Sequence, residues 1–437
     1  MNAPSVLEVN TAVWLDGLGL RLDTLKEREL EVFAGRDYVW MMGVWERSEA
    51  GQQIARTHSG LQQEFHAALN DYTVDDVIGS AYAVRAYRVD RRIGSQAGLA
   101  NVRKILHERF GVKLILDFIP NHCAVDGDWP HRHPEWFISG HGRGESESFQ
   151  VGSHRLAYGR DPFFAPWTDT AQYDYSNPEF RKAMIDELLL IAEHCDGVRC
   201  DMAMLMLQDV FTQTWSRDPQ TEFWAEAIKT VKARFPNFLF VAEAYWNREW
   251  QLLQLGFDFC YDKTLYDRLR GRDAHSIAAH LQADVQFASR VIRFSENHDE
   301  PPALHAFGPA WWAATLICAT VPGGFLEYLG QGERTVRMPV QLGRAPEHDA
   351  NFECRQFLQQ LAAFRRELPE SFEVMPCPHP HVVAYRRGEY DFFVNLSGQG
   401  VHLSTDSGSW RLPAYGATVL QPLPVPLDWL HQLAVAA

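Results

Sequence analysis

The chain is poor in the features that mark several protein classes. Its 437 residues hold seven cysteines, an odd number with no C-x-x-C pair among them. That excludes a disulfide framework and a cysteine zinc site, and free thiols suit a reducing compartment. Basic residues are outnumbered, 41 against 56 acidic, for a net charge of -15. A phosphate-coated partner such as nucleic acid or an anionic membrane is therefore not expected, whereas a neutral substrate meets no barrier. No apolar run reaches the ~18 residues of a membrane helix. Trp311 to Val321 is apolar but short, and reads as a buried helix. Met1 to Asn10 has neither a basic nor an apolar region of the secretory kind, so the expectation is a cytoplasmic protein. No G-x-G-x-x-G follows the first apolar run, which counts against a dinucleotide fold. Tandem repeats and low-complexity tracts are lacking as well.

Strand-like and helix-like segments alternate along most of the length. Strands are expected at Val6 to Val9, Tyr38 to Trp45, Val112 to Ile119, Gly197 to Cys200, Asn237 to Ala242, Phe257 to Tyr261, Arg290 to Phe294 and Gly324 to Leu329. Helical spacing is read at Leu20 to Val32, Gly98 to Phe110, Asn177 to His194, Thr221 to Phe235, Arg248 to Leu255, Ala274 to Phe287, Ala310 to Thr320 and Phe352 to Leu368. About eight β-then-α units imply a parallel sheet, and that many in one piece favour a closed (β/α)8 TIM barrel. The barrel is expected over 1–122 and 174–368. Cys123 to Tyr173 is irregular and too long for an ordinary loop, so 123–173 reads as an excursion with functional content. Residues 369–437 read as a small antiparallel β domain, with a proline-punctuated tail after Gln421 packing on the surface.

Active sites of such barrels lie at the C-terminal ends of the strands. The polar residues there are Asp117, Asn121 and His122 from the third strand, and Arg199 and Asp201 from the fourth. Glu243 ends the fifth, and His298 and Asp299 follow the seventh. Each alone has a bland reading: a cap, a satisfied core histidine, a surface charge. Four separate strands ending polar by chance is far less frequent. A metal site is disfavoured because H-E-x-x-H spacing is missing and Arg199 would repel a cation. Glycoside chemistry fits better, since it needs one carboxylate as nucleophile and one carboxylic acid to protonate the leaving oxygen. Arg199 and Asp201 share a strand face, so the guanidinium would keep Asp201 ionised. Glu243 has no cation beside it in sequence and is flanked by Ala242, Ala244 and Tyr245, a setting that would favour its protonated form. This assigns Asp201 as nucleophile and Glu243 as acid/base. Asp299 is a third carboxylate, facing the positive charge that develops on the sugar, and His122 and His298 are candidates to bond sugar hydroxyls.

These segments resemble the four hallmark motifs of the α-amylase superfamily, glycoside hydrolase family 13. They are Asp117-Phe118-Ile119-Pro120-Asn121-His122, Gly197-Val198-Arg199-Cys200-Asp201, Val241-Ala242-Glu243 and Asn297-His298-Asp299, in family order. Ser80-Ala81-Tyr82-Ala83-Val84 is similar to the stretch before the third strand whose tyrosine stacks on the sugar. The resemblance implies Asp201 as nucleophile, Glu243 as acid/base and Asp299 as transition-state stabiliser. It implies that Tyr82, His122, Arg199 and His298 line the glucose subsite, with Asp117 beside them in the first motif. It also implies that the excursion is the family's domain B and that 369–437 is its C-terminal domain. No cofactor is expected. Many α-amylases have a Lys-His pair after the nucleophile that serves the acceptor side and a calcium site, but Met204 and Leu205 stand there; Asn121 is a candidate calcium ligand whose partners are missing, so a structural calcium is not expected either. The expected activity is retaining hydrolysis of short α-glucosides or oligosaccharides. Transfer to a sugar or to phosphate with the same carboxylates is the alternative, and a non-catalytic binding member is the third. Oligomeric state is not legible.

Overall fold

A computed structural model describes residues 3–347, 351–377, 379–405 and 408–420. The tail expected after Gln421 lies outside the described residues. Eight strands close a barrel: β1 (Ser5–Asn10), β2 (Tyr38–Met42), β3 (Lys113–Phe118), β4 (Gly197–Cys200), β5 (Leu239–Ala242), β6 (Phe259–Tyr261), β7 (Val291–Arg293) and β8 (Gly324–Tyr328). They are arranged in chain order around the ring. This is the expected TIM barrel, joined by additional antiparallel sheets. No helix of the described residues is long and apolar enough to cross a membrane.

The chain divides into two compact units. One comprises Glu8–Tyr261 and Met338–Glu347. Within it β4 is the central strand. Its residues pair in parallel with β3 on one side and β5 on the other, Arg199 lying opposite both Asp117 and Val241. Strands buried on both faces read as continuous apolar runs, which is why these segments were legible. Gly197 is required at the start of β4, because a Cβ there would sit 2.7 Å from the Leu239 Cβ. The helix Pro178–His194 leads into β4. Asn177 caps it, accepting from the Glu179 and Phe180 amides, and proline occupies its first turn. It buries Phe180, Met184, Leu188 and Ile191.

The excursion is more regular than its sequence suggests. It contains four antiparallel strands in the spatial order His122–Ala124, Trp167–Gln172, His154–Gly159 and Ser148–Val151. The long connection before Tyr82 also holds two helices, Glu49–Thr57 and Ser59–Ala68, that the periodicity did not predict. Met338–Glu347 lies along residues 76–81 as a strap. Ile78 N donates to Gln341 O and Gly343 N to Asp76 O. Buried Arg47 clamps the two, one guanidinium nitrogen donating to Gly79 O and Val340 O at 2.7 Å each.

The other unit comprises Met1–Leu7, Asp262–Arg337 and His348–Ala437. It contains β7, β8 and the helices Lys263–Gly271, Ala274–Leu281, Trp311–Thr320 and Phe352–Glu367. The first of these helices was not expected, and the helix read as Ala274 to Phe287 stops at Leu281, with a separate turn at Val285–Ala288. Leu20 to Val32, in the first unit, is likewise broken into short turns rather than one helix. A four-stranded sheet follows the last helix, its strands Phe372–Val374, Val382–Arg387, Tyr390–Asn395 and Ala417–Leu420. A two-stranded ribbon, Val401–Thr405 with Gly408–Leu412, accompanies it.

Candidate active site

Asp201 and Glu243 are the first residues beyond β4 and β5, and the parallel register sets them side by side. Asp201 N donates to Phe118 O and Glu243 N to Cys200 O, so the strand ladder extends through both. One guanidinium holds the pair. Arg199 Nη1 reaches Asp201 Oδ1 at 2.7 Å, and Arg199 Nη2 reaches Glu243 Oε2 at 2.8 Å. Glu243 has two further donors. The Met202 amide donates to Oε2 at 2.6 Å and the Tyr245 hydroxyl to Oε1 at 2.8 Å. Met202 adopts a left-handed conformation, φ 42°, which costs energy for a side chain of its size and aims its N–H at the carboxylate.

The contrast expected from sequence neighbours needs correcting here. Glu243 has no cation beside it in sequence, but Arg199 contacts it as closely as Asp201. The guanidinium serves both carboxylates, so it does not by itself separate their protonation.

Arg199 is wholly buried in an aromatic box. Its guanidinium carbon lies 5.1 Å from the Trp40 ring centre, 5.2 Å from Tyr82 and 5.8 Å from Tyr261. Burial pulls its pKa down, but Glu243, Tyr82, Tyr261 and Asp201 outweigh that and raise it well above the ordinary value. The cation is thus permanent. Asp117 is committed to the same support. Its Oδ1 accepts from the Trp40 indole at 3.2 Å and its Oδ2 from the Gly43 amide at 2.9 Å, while Arg199 Nη1 lies 3.9 Å away. Buried Asp117 thus helps to hold the Trp40 and Arg199 side of the box in place.

Tyr82 is another wall of the box, and its backbone bonds the buried His122 ring. Burial lowers the His122 pKa to about 4, so the imidazole is neutral at ordinary pH. In the second unit, His298 is buried and its Nε2 lies 3.1 Å from Asp299 Oδ2. Asn297 fixes this turn by accepting from the Asp299 and Glu300 amides. The structure therefore brings Asp117, Tyr82, Arg199, Asp201 and Glu243 together, with His122 joined through Tyr82, and builds the His298–Asp299 pair separately.

Sequence reasoning passed over Trp40, Tyr245 and Tyr261. Trp40 was read as core. Tyr261 ends β6 and Tyr245 follows Glu243, so the strand-end rule would have found both had it admitted tyrosine.

The residues do not fit a structural calcium at Asn121. Its Oδ1 accepts from Gln172 Nε2 at 3.0 Å and its Nδ2 donates to Gln172 Oε1 at 3.3 Å, a closed pair of amides. Met204 and Leu205 are buried in an apolar turn. Among the described residues no group of three His, Cys, Asp or Glu side chains is placed to hold a metal ion.

No protein-family model matches the chain. It is similar to the α-amylase MalA of Haloarcula japonica, 26% identical over 323 residues that make up 69% of this chain and 44% of the relative. It is also similar to an α-1,4-glucan:maltose-1-phosphate maltosyltransferase of Rhodospirillum rubrum, 25% identical over 215 residues, 48% of this chain and 28% of the relative. The match thus spans less than half of each curated relative. An α-amylase structure from Lactobacillus plantarum shares the fold, with TM-score 0.69 at 18% identity over 96% of this chain and 99% of that one.

Proposed function

With kinship to the α-amylase superfamily as the starting point, we propose that the chain is a retaining enzyme of α-glucosides that hydrolyses short oligosaccharides through a covalent glycosyl-enzyme. The observation that carries this reading is the shared guanidinium: two carboxyls at adjacent strand ends, bonded to the two terminal nitrogens of Arg199. Retaining chemistry asks for carboxyls ~5 Å apart. In the first step an Asp201 oxygen attacks the anomeric carbon and the bond to the leaving oxygen breaks. Glu243 gives that oxygen its proton. The donors now on Glu243 describe the charged form, which is the base of the second step. A proton on Oε1 requires the Tyr245 hydroxyl to turn away, while Oε2 keeps Met202 and Arg199. Water then attacks the anomeric carbon, passes its proton to Glu243 and frees Asp201. Asp299 is proposed as stabiliser of the oxocarbenium-like transition state, and Tyr82, His122 and His298 as contacts of the glucose ring, on the strength of their motifs.

Transfer to a sugar or to phosphate is the second reading, favoured by the similarity to a maltosyltransferase. Incubation with maltose, sucrose and an aryl α-glucoside, each with and without phosphate, separates the two. Glucose as sole new product supports hydrolysis. Longer oligosaccharides or glucose 1-phosphate overturn it in favour of transfer.

A further inference from the structure

A carboxylate drawn out of water without a counterion costs free energy, and a cation brought to it recovers that cost. Glu187, half-buried on the helix that leads into β4, is such a group. Among the described residues no hydrogen bond or ion pair reaches its carboxylate, and burial raises its pKa above the ordinary value. Glu187 lines a cavity of about 190 Å³ in the first unit, walled by its own helix, the base of the excursion and the strand Val84–Val89. Asp128, exposed on the same cavity, is likewise unpaired. Trp129 and Tyr173 add aromatic rings to the lining. Packing holds both of them: Trp129 meets Trp136 edge to face at 5.2 Å, and Tyr173 stacks on Phe180 at 4.6 Å. Arg85 and Arg88 also line the cavity, but Glu46, outside the lining, pairs with them at 3.1 Å and 2.9 Å.

We propose that this cavity binds a small organic ammonium ion, its charge set against Glu187 and Asp128 and its C–H surface against Trp129 and Tyr173. Aromatic rings attract ammonium groups, and the two unpaired carboxylates supply the opposite charge. A bare metal ion is a poorer occupant. Among the described residues no three ligating side chains converge on one. Burial also pushes the Cys123 thiol, another part of the lining, up to about 12, so it stays protonated and makes a poor metal ligand. His122 lines the cavity as well, so the occupant sits against a residue proposed above to meet the glucose ring. Binding here does not depend on that function.

Tetramethylammonium is the probe, because it has the charge and the C–H surface but no hydroxyl with which to imitate a sugar. Calorimetric titration of the full chain with its chloride should give a saturable signal that sodium chloride at equal ionic strength does not. Glu187→Gln should raise the dissociation constant about 10-fold and Asp128→Asn about 3-fold, whereas Asp201→Asn should leave it unchanged. A parent protein with no saturable signal overturns the site, and so does an equal signal from sodium. Equal affinity in the parent and in Glu187→Gln overturns it as well. Binding lost in Asp201→Asn but kept in Glu187→Gln gives the cation to the carboxylates beyond β4 and β5, against the site. Should Glu187→Gln fail to fold, the exposed Asp128→Asn carries the test: weaker binding supports the site, and unchanged affinity overturns it.

Discussion

Asp196 and Asp201 stand just beyond opposite ends of the same four-residue strand, β4. At the entry end, Asp196 accepts from the Leu114 amide at 2.8 Å and pairs with Arg103 at 2.6 Å and His107 at 2.7 Å. Asp258, entering β6, does the same work. It accepts from the Phe240 amide at 2.8 Å and pairs with Lys232 at 2.6 Å. Each of these carboxylates is matched to a cation of its own, Arg103 or Lys232, and pins a neighbouring strand. At the exit end, Asp201 and Glu243 share the Arg199 cation. Matched charge holds a structure in place; shared charge leaves a carboxylate with reactivity to spend. One residue type thus serves stability at one rim of the strands and, on the proposed function, chemistry at the other, as barrels of this kind divide their labour.

The largest effect that would break this comparison is loss of the nucleophile. Asp201→Asn should lower kcat by about 10^4-fold while leaving the melting temperature within a few degrees, measured by steady-state kinetics and calorimetry. An active variant would remove Asp201 from its role. Next is the shared cation. Arg199→Leu leaves two carboxylates facing each other in a buried box. It should cost about 3 kcal/mol in denaturant unfolding and activity as well, whereas Arg199→Lys should restore part of the stability and little activity. A lysine variant with full activity would show that point charge suffices.

The acid side gives an effect of similar size by a different route. His122 has a folded pKa of about 4 against 6.5 for a free side chain, so the unfolded chain binds more protons between those values. Stability from the neutral imidazole is complete above pH ~6.5 and is lost as pH falls toward 4, about 3 kcal/mol in all. Urea midpoints measured across that window should fall in the parent protein and fall less in His122→Asn. At the entry rim, Asp258→Ala should cost about 2 kcal/mol of stability and leave kcat nearly unchanged below the transition. A large loss of kcat there would erase the division between the rims. The smallest effect is Tyr245→Phe, expected to reduce kcat by about 10-fold with no change in melting.

The sequence reading reached the exit rim because strand ends carry their own signal: a run of apolar residues that stops on a charge. β4 was read to the residue, and Asp201 and Glu243 with it. The entry rim was passed over because Asp196 and Asp258 sit in turns, where an aspartate has many uses and only the register shows which amide it meets. Short helices were missed for a related reason. Glu49–Thr57 and Ser59–Ala68 are separated by a single residue and interrupted by Gly51 and Gly60, so neither presents a long periodic stripe. The Arg199–Glu243 contact joins residues on neighbouring strands, and no linear pattern records it.

The joint between β3 and the excursion has a consequence of its own. Asn121 and Gln172 close it with two neutral amides, each donating to the other. The two amides carry no charge of their own, and the one titrating group against them is the His122 ring, whose Nδ1 lies 3.2 Å from Asn121 Nδ2. The excursion is thereby fastened to β3 by a neutral link that salt leaves alone and that acid reaches only through His122.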